Sequence, residues 1–347
     1  MKHSKFTDIG QFRSVVYNIK HAARYAGLDK DGEHILDLNI DPPVVTFEGT
    51  IKLHGTNSGV AMNSDGEVWF QSRTNIVTPE KDNAGFAFFA NSNIETFKSF
   101  INEIKTKNHL TDETVIIFGE WCGKGIQKGV AINELPKMFV IFDVKIIPTD
   151  DDVANYYLPK DKWNHLSDVD NKIYNIQDFP SFTIDIDFNR PDLAQNKLAE
   201  ITEQVEKECP VGKAFDKSGI GEGVVWTGEY KGTRYTFKVK GEKHSTSKVK
   251  TLAPVDTEKL NSINEFVDYA VTENRLNQAI EQVFSTNSLI PSMQGTGDFL
   301  RWVVNDIIKE ESDTLVDNKL EPKDVNKYVS IKARQWFFTK LNKMVGI

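Results

Sequence analysis

The chain has 347 residues, of which 39% are hydrophobic and 27% charged, enough to bury a sizeable core in one large domain and a smaller one and too apolar for disorder throughout. Forty-two lysines and arginines against 50 acids leave a net charge of -8; this excludes a cationic nucleic-acid coat, so any polyanion must be held by a local patch. Two cysteines, Cys122 and Cys209, are too few for a disulfide framework or a cysteine-based zinc site and fit a reducing compartment.

From Met1 to Lys20 the sequence is polar and mixed in charge, without the apolar core of a secretory signal, and no window approaches the about 18 uninterrupted apolar residues of a membrane span. The expectation is a soluble, cytoplasmic protein (host cytoplasm were it viral) with no membrane partner, acting as a monomer. Val44 to Phe47 reads as extended. The runs Ser58 to Met62 and Glu67 to Gln71 flank Asn63-Ser64-Asp65-Gly66, whose Asp-Gly pair supplies the positive backbone angles of a tight hairpin. Ile94, Phe97, Ile101 and Ile104 fall at helical spacing, whereas Val115 to Phe118 and Phe139 to Lys145 are apolar runs of strand length. Residues 146–215 carry little periodicity and read as an insertion: surface loop around Pro148, Asp150 to Asp152 and Asp168 to Asn171, then one helix after Pro191 carrying Leu193, Leu198, Ile201 and Val205. Val224 to Trp226 and Tyr235 to Val239 bracket a turn from Gly228 to Gly232, a second hairpin. Beyond Lys250 the pattern becomes amphipathic: Leu260 to Ala270 with Leu276 to Val283, then Leu300 to Ile308, then Val325 to Phe337. Pro254 marks the boundary, giving domains 1–250 and 251–347. The fold class is therefore α+β, an antiparallel-sheet domain followed by a small all-α domain.

The chemistry-bearing residues begin with Lys52-Leu53-His54-Gly55-Thr56-Asn57, a lysine closing a strand before a glycine that permits a sharp turn and close approach of a ligand to the backbone. In order there follow Ser72-Arg73-Thr74, Phe118-Gly119-Glu120-Trp121-Cys122-Gly123, Phe139-Val140-Ile141-Phe142-Asp143, Gly221-Glu222-Gly223-Val224-Val225 and Phe237-Lys238-Val239-Lys240. Two residues apart on a strand, Lys238 and Lys240 share a face.

This ordered set, spanning about residues 45 to 245, resembles the covalent nucleotidyltransferase superfamily of ATP-dependent ligases and mRNA capping enzymes. His54 in the lysine motif, with Thr56, Asn57 and a helical rather than β-barrel C-terminal domain, is similar to the bacteriophage-type RNA ligase 2 family. The resemblance implies an ATP-grasp-like ligase domain and an ATP-dependent RNA ligase. Lys52 would become adenylylated, with AMP passed to a 5′-phosphate and displaced by a 3′-hydroxyl, in nick sealing or RNA repair. It assigns Lys52, Glu222, Lys238 and Lys240 to catalysis, the two distal lysines on the triphosphate. Glu222 would hold Mg²⁺ or Mn²⁺, Glu120 the ribose, Phe142 the adenine face and Arg73 a phosphate or ribose. His54 and Asn57 would lie in the phosphate and metal environment. Ile51 stands where family members commonly carry Glu, which puts the adenine contacts of that position in question more than the chemistry. The implied partner is RNA bearing 5′-phosphate and 3′-hydroxyl ends, with duplex and RNA/DNA hybrid among its forms. The local patches would be Lys238, Lys240, Lys243, His244, Lys248 and Lys250, with Lys124 and Lys128. The helical domain would bind duplex or align ends, or simply pack. The alternatives are a capping-type enzyme using GTP and a non-catalytic RNA-binding protein on a ligase fold.

Overall fold

The expected first hairpin forms, but with one positive backbone angle rather than the pair: Asn63 and Glu67 close a three-residue loop in which Gly66 and not Asp65 takes positive φ. Gly66 adopts φ 79°, and Thr56–Met62 pairs antiparallel with Val68–Ser72, in register from Ser58 opposite Ser72 to Met62 opposite Val68. The structure is a computed structural model of the chain that describes residues 1–28, 30, 32–37, 39–244, 263–285, 289–318 and 320–345. The expected boundary at 250/251, Pro254, Leu260, Lys248 and Lys250 lie outside the described residues.

One compact unit comprises Met1–Asp8, Thr50–Phe182 and Lys207–Glu222. Its sheet runs, edge to edge, Ile173–Asn175, Met138–Ile147, Thr114–Cys122, Thr56–Met62, Val68–Ser72 and Ile76–Val77, with Tyr156–Tyr157 also on Met138–Ile147. All pairings given for this sheet are antiparallel except that of Ile173–Asn175. One face packs the helices Phe86–Ser92 and Ile94–Lys107: Phe97, Ile101 and Ile104 are buried, and the rings of Phe86 and Phe97 lie 5.3 and 5.7 Å from that of Phe139. The other carries Ala61, Trp69, Ile116 and Phe118, against which Phe6, Ile76, Phe142 and Ile147 pack. Phe118 pairs with Asp143 but Gly119 with Ile141, so Phe142 is the extra residue of a bulge.

The second unit comprises Ile9–Gly49, Thr183–Glu206 and Gly223–Ile347. Its sheet order is Phe182–Asp187, Val44–Lys52, Gly223–Tyr230, Thr233–Lys240, the chain entering the first unit after Gly49 within the Val44–Lys52 strand. The second hairpin is longer than its apolar runs suggest. Lys231 (φ 49°) and Gly232 (φ 72°) make a two-residue turn, so pairing continues to Tyr230 opposite Thr233. The Asp192–Lys207 helix forms as expected, yet Leu193 is exposed and Ala194 takes the buried position. A further helix, Phe12–Arg24, buries Phe12, Val15, Ile19 and Ala23. The C-terminal helices, Ile263–Ala270, Glu273–Ile280, Thr296–Glu310, Ser312–Asp317 and Pro322–Val345, enclose one apolar core, with Phe299 stacked on Phe337 at 4.3 Å. Among the described residues, no helix is long and apolar enough to cross a membrane. Both cysteines are free and buried.

Candidate active site

Alternation along Val44–Lys52 decides which side chain is available at its end. Ile51 is 2% exposed, so that residue could meet a nucleotide only through its backbone. Lys52 follows on the opposite side of the pleat, with its side chain 20% exposed. Its Nζ donates to Glu222 Oε2 at 2.8 Å, an oxygen that also lies 3.3 Å from His54 Nδ1. Glu222 is 3% exposed. The segment delivering it is fixed from both flanks, since Ala131 N–H donates to the Ile220 carbonyl and Cys209 N–H to the Gly219 carbonyl. A carboxylate so enclosed needs charged partners, and Lys52 supplies one.

Gly55 holds the turn after Lys52. Its N–H donates to Glu120 Oε1 at 2.9 Å, and its carbonyl accepts from Gln127 Nε2 at 3.2 Å. A Cβ at Gly55 would sit 2.3 Å from the Trp121 carbonyl. The glycine is thus required by the neighbouring strand, where the sequence pointed to a ligand. Gly223, at φ 150°, is equally constrained, since a Cβ would lie 2.1 Å from the Val239 carbonyl.

Glu120 keeps some residue surface in contact with solvent, but enclosure of its carboxyl is the larger effect. Burial pushes the carboxyl up to about 7 from 4.5, with Glu222 adding to the rise and Lys52, the Gly55 N–H and His54 opposing it. Between pH 4.5 and about 7 the folded protein therefore holds a proton that the unfolded chain has lost. Stability from this group is complete below pH 4.5 and is lost as the pH rises through about 7. In metal-free buffer, Glu120→Gln should flatten this part of the melting-temperature profile; an unchanged wild-type slope would contradict the assignment.

Asn57 pairs in register with Glu120, and its buried Oδ1 has no hydrogen-bond partner among the described residues. An unmatched acceptor on the same row as a carboxylate suits a hard cation or its water. Among the described residues, no group of three or more His, Cys, Asp or Glu forms a ready metal cage.

Two further expected residues lie along the N-terminal segment. Arg73, about half exposed, pairs with Asp8 at 2.9 Å. Phe142 meets Phe6 edge-on at 5.1 Å, within a cluster where Phe6 also touches Phe118 and Tyr157. Gln71 and Lys145 hold this segment through Ser4. Neither contact was legible from motif order. Gln127 also escaped sequence reading, though its place in a glycine-rich loop between Lys124 and Lys128, both exposed, offered a signal.

In the second unit, Lys238 and Lys240 share a face of Thr233–Lys240 as expected, opposite buried Phe237 and Val239. Lys238 Nζ contacts both carboxylate oxygens of Glu310, at 2.8 and 2.9 Å. Lys243 is exposed.

The family model described as RNA ligase matches residues 45–240, more than half of the chain and the same stretch that carries these residues. Solved structures of a Naegleria gruberi RNA ligase are similar to the chain. A substituted form with AMP and Mn is 18% identical, covering 69% of this chain and 56% of that one, TM-score 0.42. Another with ATP and Mn is 19% identical with the same coverage and TM-score, and a form with PPi is 18% identical, again at 0.42. This chain thus matches little more than half the length of those proteins. No curated protein matches it.

Proposed function

The chain belongs to the RNA ligase family, and on that premise we propose that it is an ATP-dependent RNA ligase of the bacteriophage RNA ligase 2 type. The observation that carries the proposal is the contact of Lys52 with Glu222 at 2.8 Å, which brings together two residues far apart in sequence that the resemblance assigned to catalysis separately.

Lys52 Nζ, once it has lost the proton shared with Glu222, attacks the α-phosphorus of ATP; the new P–N bond forms as pyrophosphate leaves. The carboxylate at 2.8 Å holds the lysine amine in place. A 5′-phosphate oxygen then takes the AMP from Lys52. The 3′-hydroxyl of the second end attacks that 5′-phosphorus and AMP departs. Each displacement needs alignment and neutralisation of phosphate charge more than proton chemistry. Glu222 would hold the divalent cation, which when bound supplies positive charge to phosphate oxygens, with His54 and Asn57 proposed to lie in the phosphate and metal environment. Lys238 and Lys240 are proposed as the fixed cations for the same oxygens. Glu120 orients the turn after Lys52 through Gly55 and is proposed to meet the ribose. Arg73 would hold phosphate after exchanging Asp8 for it. Phe142 would offer its ring to adenine.

A panel of 5′-labelled substrates tests the assignment: nicked duplex RNA, RNA/DNA hybrid nicks, broken hairpin loops and single strands. ATP-dependent sealing of at least one, through an adenylylated 5′ end, is expected. Label transfer from GTP instead would favour a capping-type activity, and tight RNA binding without any covalent step a non-catalytic role.

A further inference from the structure

The Thr296–Glu310 helix ends on an acid set against a lysine that the proposed reaction needs. Glu310 meets Lys238 through both of its oxygens, and the two side chains are only 16% and 17% exposed. Burial alone would raise its carboxyl, yet Lys238, Lys240 and Lys309 together hold it below the usual carboxylate range. The carboxylate is therefore kept as an anion.

The helix end that presents it is fastened independently of Lys238. The Gln11 side chain donates to the Glu310 carbonyl, and the next residue, Glu311, accepts from buried Arg275 at 2.9 Å. Ser14 bonds Asp313 just beyond. On the other side, the Lys238 strand is pinned by Gly10, which accepts from Lys238 N–H at 3.2 Å and donates to the Thr236 carbonyl. Both partners thus stand on backbone held by contacts of its own, so side-chain rotation suffices to separate them. An ammonium has three protons to donate. Two carboxylate oxygens at hydrogen-bond distance occupy the geometry that two phosphate oxygens would take.

We propose that Glu310 is a positioning residue that competes with substrate phosphate for Lys238: it holds the lysine ammonium through both carboxylate oxygens and must yield when a nucleotide or RNA phosphate arrives. The inference rests on reading Lys238 as a phosphate ligand. It gives the helical domain a part in setting nucleotide affinity, distinct from binding duplex or aligning ends. Competition of this kind raises the concentration of phosphate ligand needed for occupancy without changing the chemical step once Lys238 is engaged.

The test uses the full chain, freed of bound AMP, and two readouts. In titration calorimetry with inorganic tripolyphosphate, Glu310→Gln should bind about five-fold or more tighter than wild type, and the gain should vanish in the Lys238→Ala, Glu310→Gln double variant. In single-turnover labelling by ATP, Glu310→Gln should reach half-saturation at correspondingly lower ATP, with the maximal rate preserved. Should Glu310→Gln melt too early for titration, Glu310→Asp, which keeps the charge but shortens its reach, is expected to show a smaller gain in both readouts. Equal or weaker tripolyphosphate affinity in folded Glu310 variants overturns the competition and leaves a purely structural ion pair. If wild type takes no label from ATP while Glu310→Gln still gains tripolyphosphate affinity, the ligase reading falls and the competition stands.

Discussion

Replacing Glu222 with glutamine is expected to slow the first covalent step by about 10²–10³-fold, the scale on which a preorganised electrostatic group acts in an enclosed site. Glutamine keeps the shape and one acceptor oxygen, so the pinned segment from Gly219 to Glu222 should be undisturbed. What it removes is the charge that Lys52 and His54 face at 2.8 and 3.3 Å and the carboxylate proposed to hold the divalent cation. The initial rate of label transfer from ATP at saturating metal measures the loss. A rate within a few-fold of wild type would make Glu222 a structural counter-ion to Lys52 and nothing more. Raising the metal concentration should recover part of the rate if metal affinity is what the substitution weakens.

Arg275→Met should be the most destabilising single substitution outside the candidate site. Arg275 is fully buried, with Nε on Asp306 at 2.8 Å, a terminal nitrogen on Glu311 at 2.9 Å and another on the Ala270 carbonyl. Glu311, itself 2% exposed, has Arg13 nearby at 3.8 Å. Methionine fills much of the volume but leaves buried Glu311 with the more distant Arg13 in place of its close partner. Removing one member of a buried pair costs about 3–5 kcal/mol, because the remaining charge loses its compensation. Urea denaturation followed by circular dichroism reads this as a fall in midpoint. Adding Glu311→Gln to Arg275→Met should return part of the loss, since it removes that charge. Strict additivity of the two changes would contradict the buried-pair account.

Sequence pattern reached furthest where local chemistry alone decides structure. Asp65-Gly66 placed the first hairpin, and Ile94, Phe97, Ile101 and Ile104 the helix covering its sheet. The same logic was available for Phe12, Val15, Ile19 and Ala23, whose spacing foretells the Phe12–Arg24 helix, but the polar residues between them masked it. Leu193 misled because hydrophobicity was read without phase: the buried stripe runs through Ala194, Leu198, Ile201 and Val205, and a leucine one residue earlier points away from it.

Within the site, the resemblance singled out Lys52 and Glu222 without placing them in contact, and strand alternation set Lys238 and Lys240 on one face. Neither could disclose partners recruited from elsewhere. Glu310 for Lys238, Asp8 for Arg73, Phe6 for Phe142 and Gln127 for Gly55 are all tertiary encounters, made by residues whose own neighbourhoods look like ordinary surface or loop. Nor could they show that Gly55 is demanded by the Trp121 carbonyl, since a glycine that admits a ligand and one that admits a neighbouring strand look alike in sequence.

The central claim is that Lys52 is the residue that takes AMP. Purified protein freed of bound nucleotide, incubated with ATP and Mg²⁺ and then digested for mass spectrometry, should carry a single adenylate on the peptide containing Lys52, and Lys52→Ala should carry none. Folded wild-type protein that acquires no adenylate, or that acquires it on another lysine while Lys52→Ala labels equally well, would contradict the account.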